Sequence, residues 1–272
     1  MASIITTEQP HLIGLQEVSK FLTQSPGDFL TGNPVAASDV ALDFLDELMT
    51  ALAAQGVSYQ VAASVDNSDI EFISVTADDI HQIDREVILA RSDFQVVTTS
   101  TGLFRERVTV PLVGDAVVEI PRGGVMANAV VDRFEIRFVS THLEVSAFHD
   151  IQINQAEEQV REIPQSAGTT ILVGDINSRP IPSIPNTYST ILDAGYTDTW
   201  MMVTDNPGPT CCHADDLLNE TPRLAGRIDV IVDRGNVTPI STHVVGDKPE
   251  DLTSSGLWPS DHDGVVTTFS LP

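Results

Sequence analysis

The sequence predicts an α/β protein of two packed β-sheets with helices outside them, and three observations carry that prediction. Apolar runs of strand length, several with period-two alternation, crowd the middle of the chain. A few stretches with helical spacing lie between and after them, a mix that suits two packed sheets covered by helices. No repeat, low-complexity tract or Pro/Gly/Ser-rich linker divides the 272 residues, so a single domain over 1–272 is expected.

The elements follow in order. Residues 38–56 read as a helix, with Val40, Phe44, Leu48 and Leu52 on one face, Ser38 as N-cap and Gly56 as stop. Residues 58–65, 86–91, 107–112, 116–120, 125–131 and 134–141 read as strands. Gly114-Asp115 is a hairpin signal between two of them, and Asp132-Arg133 a weaker one. Beyond these, 150–163 and 183–194 read as helices, and 169–174, 227–233, 238–245 and 264–271 as strands. The stretch 198–226 has no clear period and is long for a loop, a length usually associated with function or mobility.

Hydrophobic residues make up 42% of the chain, enough for a buried core. Acids outnumber Lys plus Arg by 39 to 14, giving a formal charge of −25. A non-specific nucleic-acid binder neutralises phosphates with Lys and Arg, so strong binding of that kind is not expected. An anionic substrate then needs a local site, and a bound cation is the direct way to reverse the field there. No apolar run approaches the roughly 20 residues of a transmembrane helix. Residues 1–11 lack the basic and apolar regions of a signal peptide. Because the chain reads as starting late, a lost leader leaves both a secreted and a cytoplasmic location open. A soluble monomer is expected. Cys211 and Cys212 are adjacent, and since neighbouring cysteines join only with strain they are read as free or buried thiols.

Five short segments carry chemistry. Gln16-Glu17 ends an apolar run, and Thr141-His142-Leu143 ends another. Gly174-Asp175-Ile176-Asn177 follows a buried strand, and alternation sends Asp175 and Asn177 to one side if the extended backbone persists. Ile228-Asp229 sets an acid inside an apolar strand, where it needs a partner. Ser260-Asp261-His262 precedes the last strand. Taken singly, each has a plain alternative: a solvated strand end, a hydrogen-bonded histidine, or an Asp/Asn turn.

Together they supply what hydrolysis of a phosphoester requires. Glu17 and Asp261 are hard oxygen ligands suited to Mg²⁺. Asp175 can orient or deprotonate a water, Asn177 and His142 can hold phosphoryl oxygens, and an Asp229–His262 pair can present an oriented imidazole. The candidate His and Cys ligands are too few for a structural zinc site.

The order and wording of these segments resemble the endonuclease/exonuclease/phosphatase superfamily, whose signatures are similar to Gln-Glu, Thr-His-Leu, Gly-Asp-x-Asn, Ile-Asp and Ser-Asp-His in this order. The resemblance runs from Gln16 to His262. It implies a four-layer sandwich of two mainly antiparallel or mixed sheets flanked by helices, similar to deoxyribonuclease, with the site at strand ends along one edge. It also implies Mg²⁺ or Mn²⁺ on Glu17 with Asp261 close by, and a phosphoester substrate acted on by His142, Asp175, Asn177, Asp229 and His262. Family members open with a strand ending in a metal-binding Asn, and Met1-Ala2-Ser3-Ile4-Ile5 resembles the tail of the helix after it, so an N-terminally truncated domain is expected. The alternative is a non-catalytic binding module that keeps the fold. Among weaker candidates, Arg122 could reach a substrate phosphate but reads rather as a solvated hairpin residue, Gln155 as surface or packing, and Thr210 to Asn219, with Trp258, as a substrate loop or a packing knot.

Overall fold

The computed structural model describes residues 1–32, 35–111, 117–164, 168–181 and 186–272. Two sheets form its frame. The first is antiparallel and centred on the long strand Asp79–Arg91. One edge of that strand pairs with Tyr59–Ile73. Its other edge takes Leu12–Leu15 near one end and Lys20–Gln24 near the other, and Asp39–Asp43 adds beyond Lys20–Gln24.

The second sheet has the order Thr197–Asp198, Asp229–Arg234, Thr169–Asp175, Phe134–His142, Gly123–Val131, Val96–Leu103. Among its pairs, Phe134–His142 and Thr169–Asp175 run parallel. Such a connection needs a crossover, which the helix His149–Glu162 provides. Two small hairpins complete the strands: Val108–Pro111 with Val117–Ile120, and Thr238–Val245 with Gly264–Ser270.

Period-two alternation divides the apolar residues into three interfaces. Ile88 and Ala63 of the first sheet meet Ala127, Phe138, Ile171 and Val173 of the second. The neighbouring Val87 and Leu89 point the other way, onto Ile5 and Leu52 of the helices Ala2–Glu8 and Phe44–Ala54. Val139 and Leu172 leave the second sheet towards Ala156, Tyr188 and Ile191 of its covering helices. Three apolar interfaces separate four layers, so this is an α/β sandwich of helix, sheet, sheet and helix. Leu172, Ile88 and Leu89 are completely buried, a gain of about 1.5–3 kcal/mol for each such side chain.

Several expectations need revision. Residues 39–43 form a strand, and the helix starts only at Phe44. Asp43, not Ser38, caps it, its Oδ1 accepting from the backbone N–H of Leu45 and Asp46. Val40 and Phe44 are exposed, so the helical spacing across 40–52 joined two elements by coincidence. The strand 58–65 runs on to Ile73 through bulges, and 86–91 begins at Asp79. Lys20–Gln24 and Val96–Leu103 went unread; the latter is almost wholly exposed along its length. Asp132 and Arg133 both take positive φ, 48° and 78°, between paired Val131 and Phe134, as a two-residue hairpin turn requires. Gly114-Asp115 and the start of the helix read at 183–194 lie outside the described residues. Among the described residues, no helix is long and apolar enough to cross a membrane.

Candidate active site

The strand ends of the two sheets meet at one rim. His142 ends its strand directly beside Asp175, its register partner, and Asp175 is in turn paired with Asp229 on the next strand. Three acids and imidazoles from distant sequence positions are thereby stacked across adjacent strands by hydrogen-bond register alone. Gly174 makes this fit possible: its φ is +138°, and a Cβ there would overlap the Thr141 carbonyl.

At Asp175 the strand stops. Asn177 takes a left-handed φ of 50° and its N–H donates to Asp175 Oδ1 at 2.7 Å. The extended backbone, the condition for alternation to send Asp175 and Asn177 to one side, therefore does not persist. The Asx turn brings the amide back by another route: Asn177 Nδ2 donates to Leu143 O at 3.0 Å and lies 3.3 Å from His142 Nε2.

Asp229 finds its partner in His262, whose Nδ1 lies 2.9 and 3.2 Å from the two carboxylate oxygens. Asp175, Asp229 and His262 each offer a ligand atom within 4.8 Å of the others. Burial opposes protonation of His262, but the Asp229 hydrogen bond and the charges of Asp229, Asp175 and Asp261 raise its pKa to about 9. Burial, then Asp229, push Asp175 up to about 8. Asp229→Ala is accordingly expected to drop the His262 pKa from about 9 towards 6.5, read by NMR titration of the imidazole. It should also cost roughly 1–3 kcal/mol by leaving the ring unpaired. An unchanged imidazole titration would refute the pairing.

Glu17 follows its strand with φ 54°, lies 3.8 Å from Arg122 Nη1, and faces Asp261 and His262 across the rim. Its side chain is 61% exposed, and partial desolvation, then Asp84, with Asp261 adding to them, raises its pKa against the opposing Arg122 and His262. Asp261 itself is exposed, with its backbone carbonyl bound to His213 N–H. The rim thus gathers all seven residues singled out from the sequence. Glu17 and Asp261 belong to neither of the two tight three-ligand groups found among the described residues.

The structure adds residues that the sequence reading underweighted or passed over. Arg122 is not a solvated hairpin residue: its side chain is 13% exposed and donates to His142 Nδ1 at 3.0 Å. Guanidinium only donates, so Nδ1 accepts from Arg122, while Nε2 lies 3.6 Å from Asp175 Oδ2 and 3.3 Å from Asn177 Nδ2. Burial, then Arg122 and His262, hold the His142 pKa well below its ordinary value. Glu86 is completely buried 3.6 Å from His142 Nδ1, and burial, then Asp84, hold its pKa well above the usual carboxylate range. Asp84 and Glu144 also flank Arg122, at 4.0 and 3.7 Å. The alternation Asp84-x-Glu86, two acids on one face leading into the apolar run Val87–Ala90, was the signal available.

Gln155 is fully buried packing: its amide accepts from Glu144 N–H and donates to Glu106 O. Trp258 is buried and stacks on His213 at 4.3 Å, while His213 pairs with Asp263 and Asn219, so the segment from Cys211 to Asn219 is a packing knot around these rings. The two cysteines are joined to each other rather than free. Backbone clamps on both sides explain the juxtaposition: Thr210 and Cys211 N–H donate to Gly226 O, and His213 N–H to Asp261 O.

A hard divalent cation fits this donor set. Carboxylates raise one another's pKa at Glu17 and Asp175, and Oε2 of both Glu86 and Glu144 is buried with no hydrogen-bond partner. Acids crowded together in this way are relieved by an ion with oxygen ligands.

The fold is similar to that of solved endonuclease/exonuclease/phosphatase proteins. No family model matches the sequence, and no curated protein matches it. The similar solved structures include a family protein from Leptotrichia buccalis, 17% identical, with a TM-score of 0.66 over 99% of this chain and 91% of that one. A mannosyl-6-phosphatase of Bacteroides thetaiotaomicron is 20% identical, with a TM-score of 0.65 over 99% and 89%. A truncated TDP2 of Caenorhabditis elegans is 15% identical, with a TM-score of 0.58 over 100% and 88%.

Proposed function

We propose that the protein hydrolyses a phosphoester with the help of Mg²⁺ or Mn²⁺. The observation that carries this reading is the row His142–Asp175–Asp229 across adjacent strands, with Asn177 beside His142 and His262 beside Asp229. An anionic acceptor next to neutral donors is what a water and a phosphoryl group require. Glu17 and Asp261 would hold the cation, with Asp175 and Asp229 within reach of the same region. Bound there, the ion supplies Lewis-acid polarisation of a phosphoryl oxygen. Asp175, once ionised, accepts a hydrogen bond from the attacking water and directs its lone pair at phosphorus. Asn177 Nδ2 and the Nε2–H of His142 donate to phosphoryl oxygens, where charge grows in the transition state. Arg122 fixes the His142 tautomer through Nδ1. Asp229 orients His262, whose Nε2 faces the reacting group.

The charge of −25 favours a small phosphorylated metabolite over a long nucleic acid, because few cations are available to follow a phosphate backbone. Similarity to both a mannosyl-6-phosphatase and a TDP2 supports phosphoester chemistry without choosing between monoester and diester.

The test is hydrolysis of a chromogenic phosphomonoester and a bis-phosphodiester with Mg²⁺, Mn²⁺ or chelator. Turnover of one ester that disappears with chelator supports the proposal, and turnover that survives chelation removes the metal role. Proton competition gives a second expectation. Asp175 titrates at about 8, so raising the pH from about 6 to about 8 should strengthen Mn²⁺ binding as the carboxyl loses its proton. Calorimetric titration at the two pH values reads this directly, and a pH-independent affinity would exclude Asp175 from the cation's surroundings.

A further inference from the structure

One cluster of metal-binding side chains adds to His262 two residues that reading leaves unused. Cys211, Cys212 and His262 each offer a ligand atom, all within 4.8 Å of one another. Cys212 Sγ lies 3.6 Å from His262 Nε2. That nitrogen is the outward-facing one, because Nδ1 is taken by Asp229. Cys211 is bridged through its backbone both to Gly226 and to His262. Opening the sulfur–sulfur bond therefore leaves both side chains beside the imidazole.

We propose that reduction of the Cys211–Cys212 disulfide creates a soft-cation site of two thiolates and His262 Nε2, with Zn²⁺ or Cd²⁺ as ligand, and that the bound ion takes the imidazole out of use. The geometry fits. Zinc bonds of about 2.3 Å to sulfur and about 2.0–2.1 Å to nitrogen put two tetrahedral ligands about 3.5 Å apart. The observed S···N separation of 3.6 Å matches that span. Asp229 on Nδ1 completes a carboxylate–histidine–metal arrangement, which fixes the tautomer and raises the basicity of the ligating nitrogen. Thiolate donors select a soft ion, whereas the carboxylates on the other side of His262 suit Mg²⁺ or Mn²⁺. The two sites have no donor in common. In the reducing step a phosphine and one water yield the phosphine oxide and two thiols, and coordination then displaces one proton from each thiol. Coordination itself is independent of the proposed hydrolysis, while loss of turnover on coordination rests on it.

The experiment uses the full chain, reduced with a phosphine and titrated anaerobically with Cd²⁺ while thiolate-to-cadmium charge-transfer absorption is followed. Reduced protein should develop the band to saturation at an equimolar ion, and unreduced protein should not. The double variant Cys211→Ala/Cys212→Ala should lose the band. Both His262→Gln and Asp229→Asn should weaken Cd²⁺ binding by about 10-fold or more, with folding checked by circular dichroism. If the starting protein hydrolyses the chromogenic ester, Cd²⁺ should inhibit the reduced form and spare the double variant, which keeps basal turnover. Absence of the band on reduction, or unchanged affinity in both His262→Gln and Asp229→Asn, would overturn the site. A band without inhibition would overturn the regulatory half. A protein inactive from the outset still gives the absorption result, so failure of the hydrolytic reading is distinguishable from failure of this one.

Discussion

Asp175→Asn is expected to lower kcat about 10²–10⁴-fold, the range for loss of a positioned general base, while the fold survives intact. The local geometry is kept: Asn Oδ1 can still accept the Asn177 N–H that bonds Asp175 Oδ1 at 2.7 Å. What disappears is the anionic acceptor facing the water. Stability should move in the opposite direction to activity. The folded pKa of Asp175 is raised to about 8 from 3.8 by burial and by Asp229. Between those values the unfolded chain ionises more readily than the folded one, so ionisation at this site disfavours the fold as pH rises through that window. A neutral amide escapes the penalty, and in cation-free buffer at neutral pH the variant should unfold at a higher temperature than the wild type. An ionisable acid held in an unfavourable place for its chemistry is a familiar form of the trade between stability and activity. Steady-state kinetics on the chromogenic ester with a thermal melt in chelator checks both halves. A kcat within a few-fold of wild type would remove Asp175 from the reaction.

Much of this site was legible in the sequence because its residues sit at the ends of apolar strands, where period and punctuation are clearest. Thr169–Asp175 is buried at every position and stops at the acid. Asp229 stood out as an acid in an apolar strand, and burial of a charge demands the partner that His262 provides. Arg122 was hidden because Pro-Arg-Gly-Gly has the composition of a solvent turn. Only sheet topology, with Gly124 paired opposite Thr141, delivers it to His142. Glu86 was hidden for a related reason: it was counted as the first residue of a strand that starts seven positions earlier, at Asp79. Edge strands such as Val96–Leu103 carry little alternating apolar pattern, since most of their side chains meet solvent. The same physics misplaced the helix near residue 40, where exposed Val40 and Phe44 happened to fall at helical intervals with the inward-facing Leu48 and Leu52.

Arg227→Ala should be the most destabilising of the substitutions considered, at about 3–5 kcal/mol, because it leaves a buried carboxylate without its counter-charge. Arg227 and Asp198 side chains are 2% and 3% exposed, and the guanidinium reaches both carboxylate oxygens, at 3.3 and 2.6 Å. The same carboxylate accepts from Tyr188 Oη at 2.7 Å and from Trp200 N–H at 2.9 Å, and the guanidinium lies 5.7 Å from the centroid of the Trp200 ring. This network ties the short strand Thr197–Asp198 and the helix Thr199–Val203 to the residue two positions before Asp229. Loss of the guanidinium should therefore loosen the strand start that aims Asp229 at His262, so that kcat falls along with stability. Removing both charges distinguishes an ion pair from simple packing. The double variant Arg227→Met/Asp198→Ala should be less destabilised than the sum of its single changes, since neither charge is then left buried alone. Denaturant unfolding of the four proteins measures the coupling. Strict additivity, or a loss below about 1 kcal/mol for Arg227→Ala, would mean that solvent reaches this pair and that the strand start is held by its backbone hydrogen bonds instead.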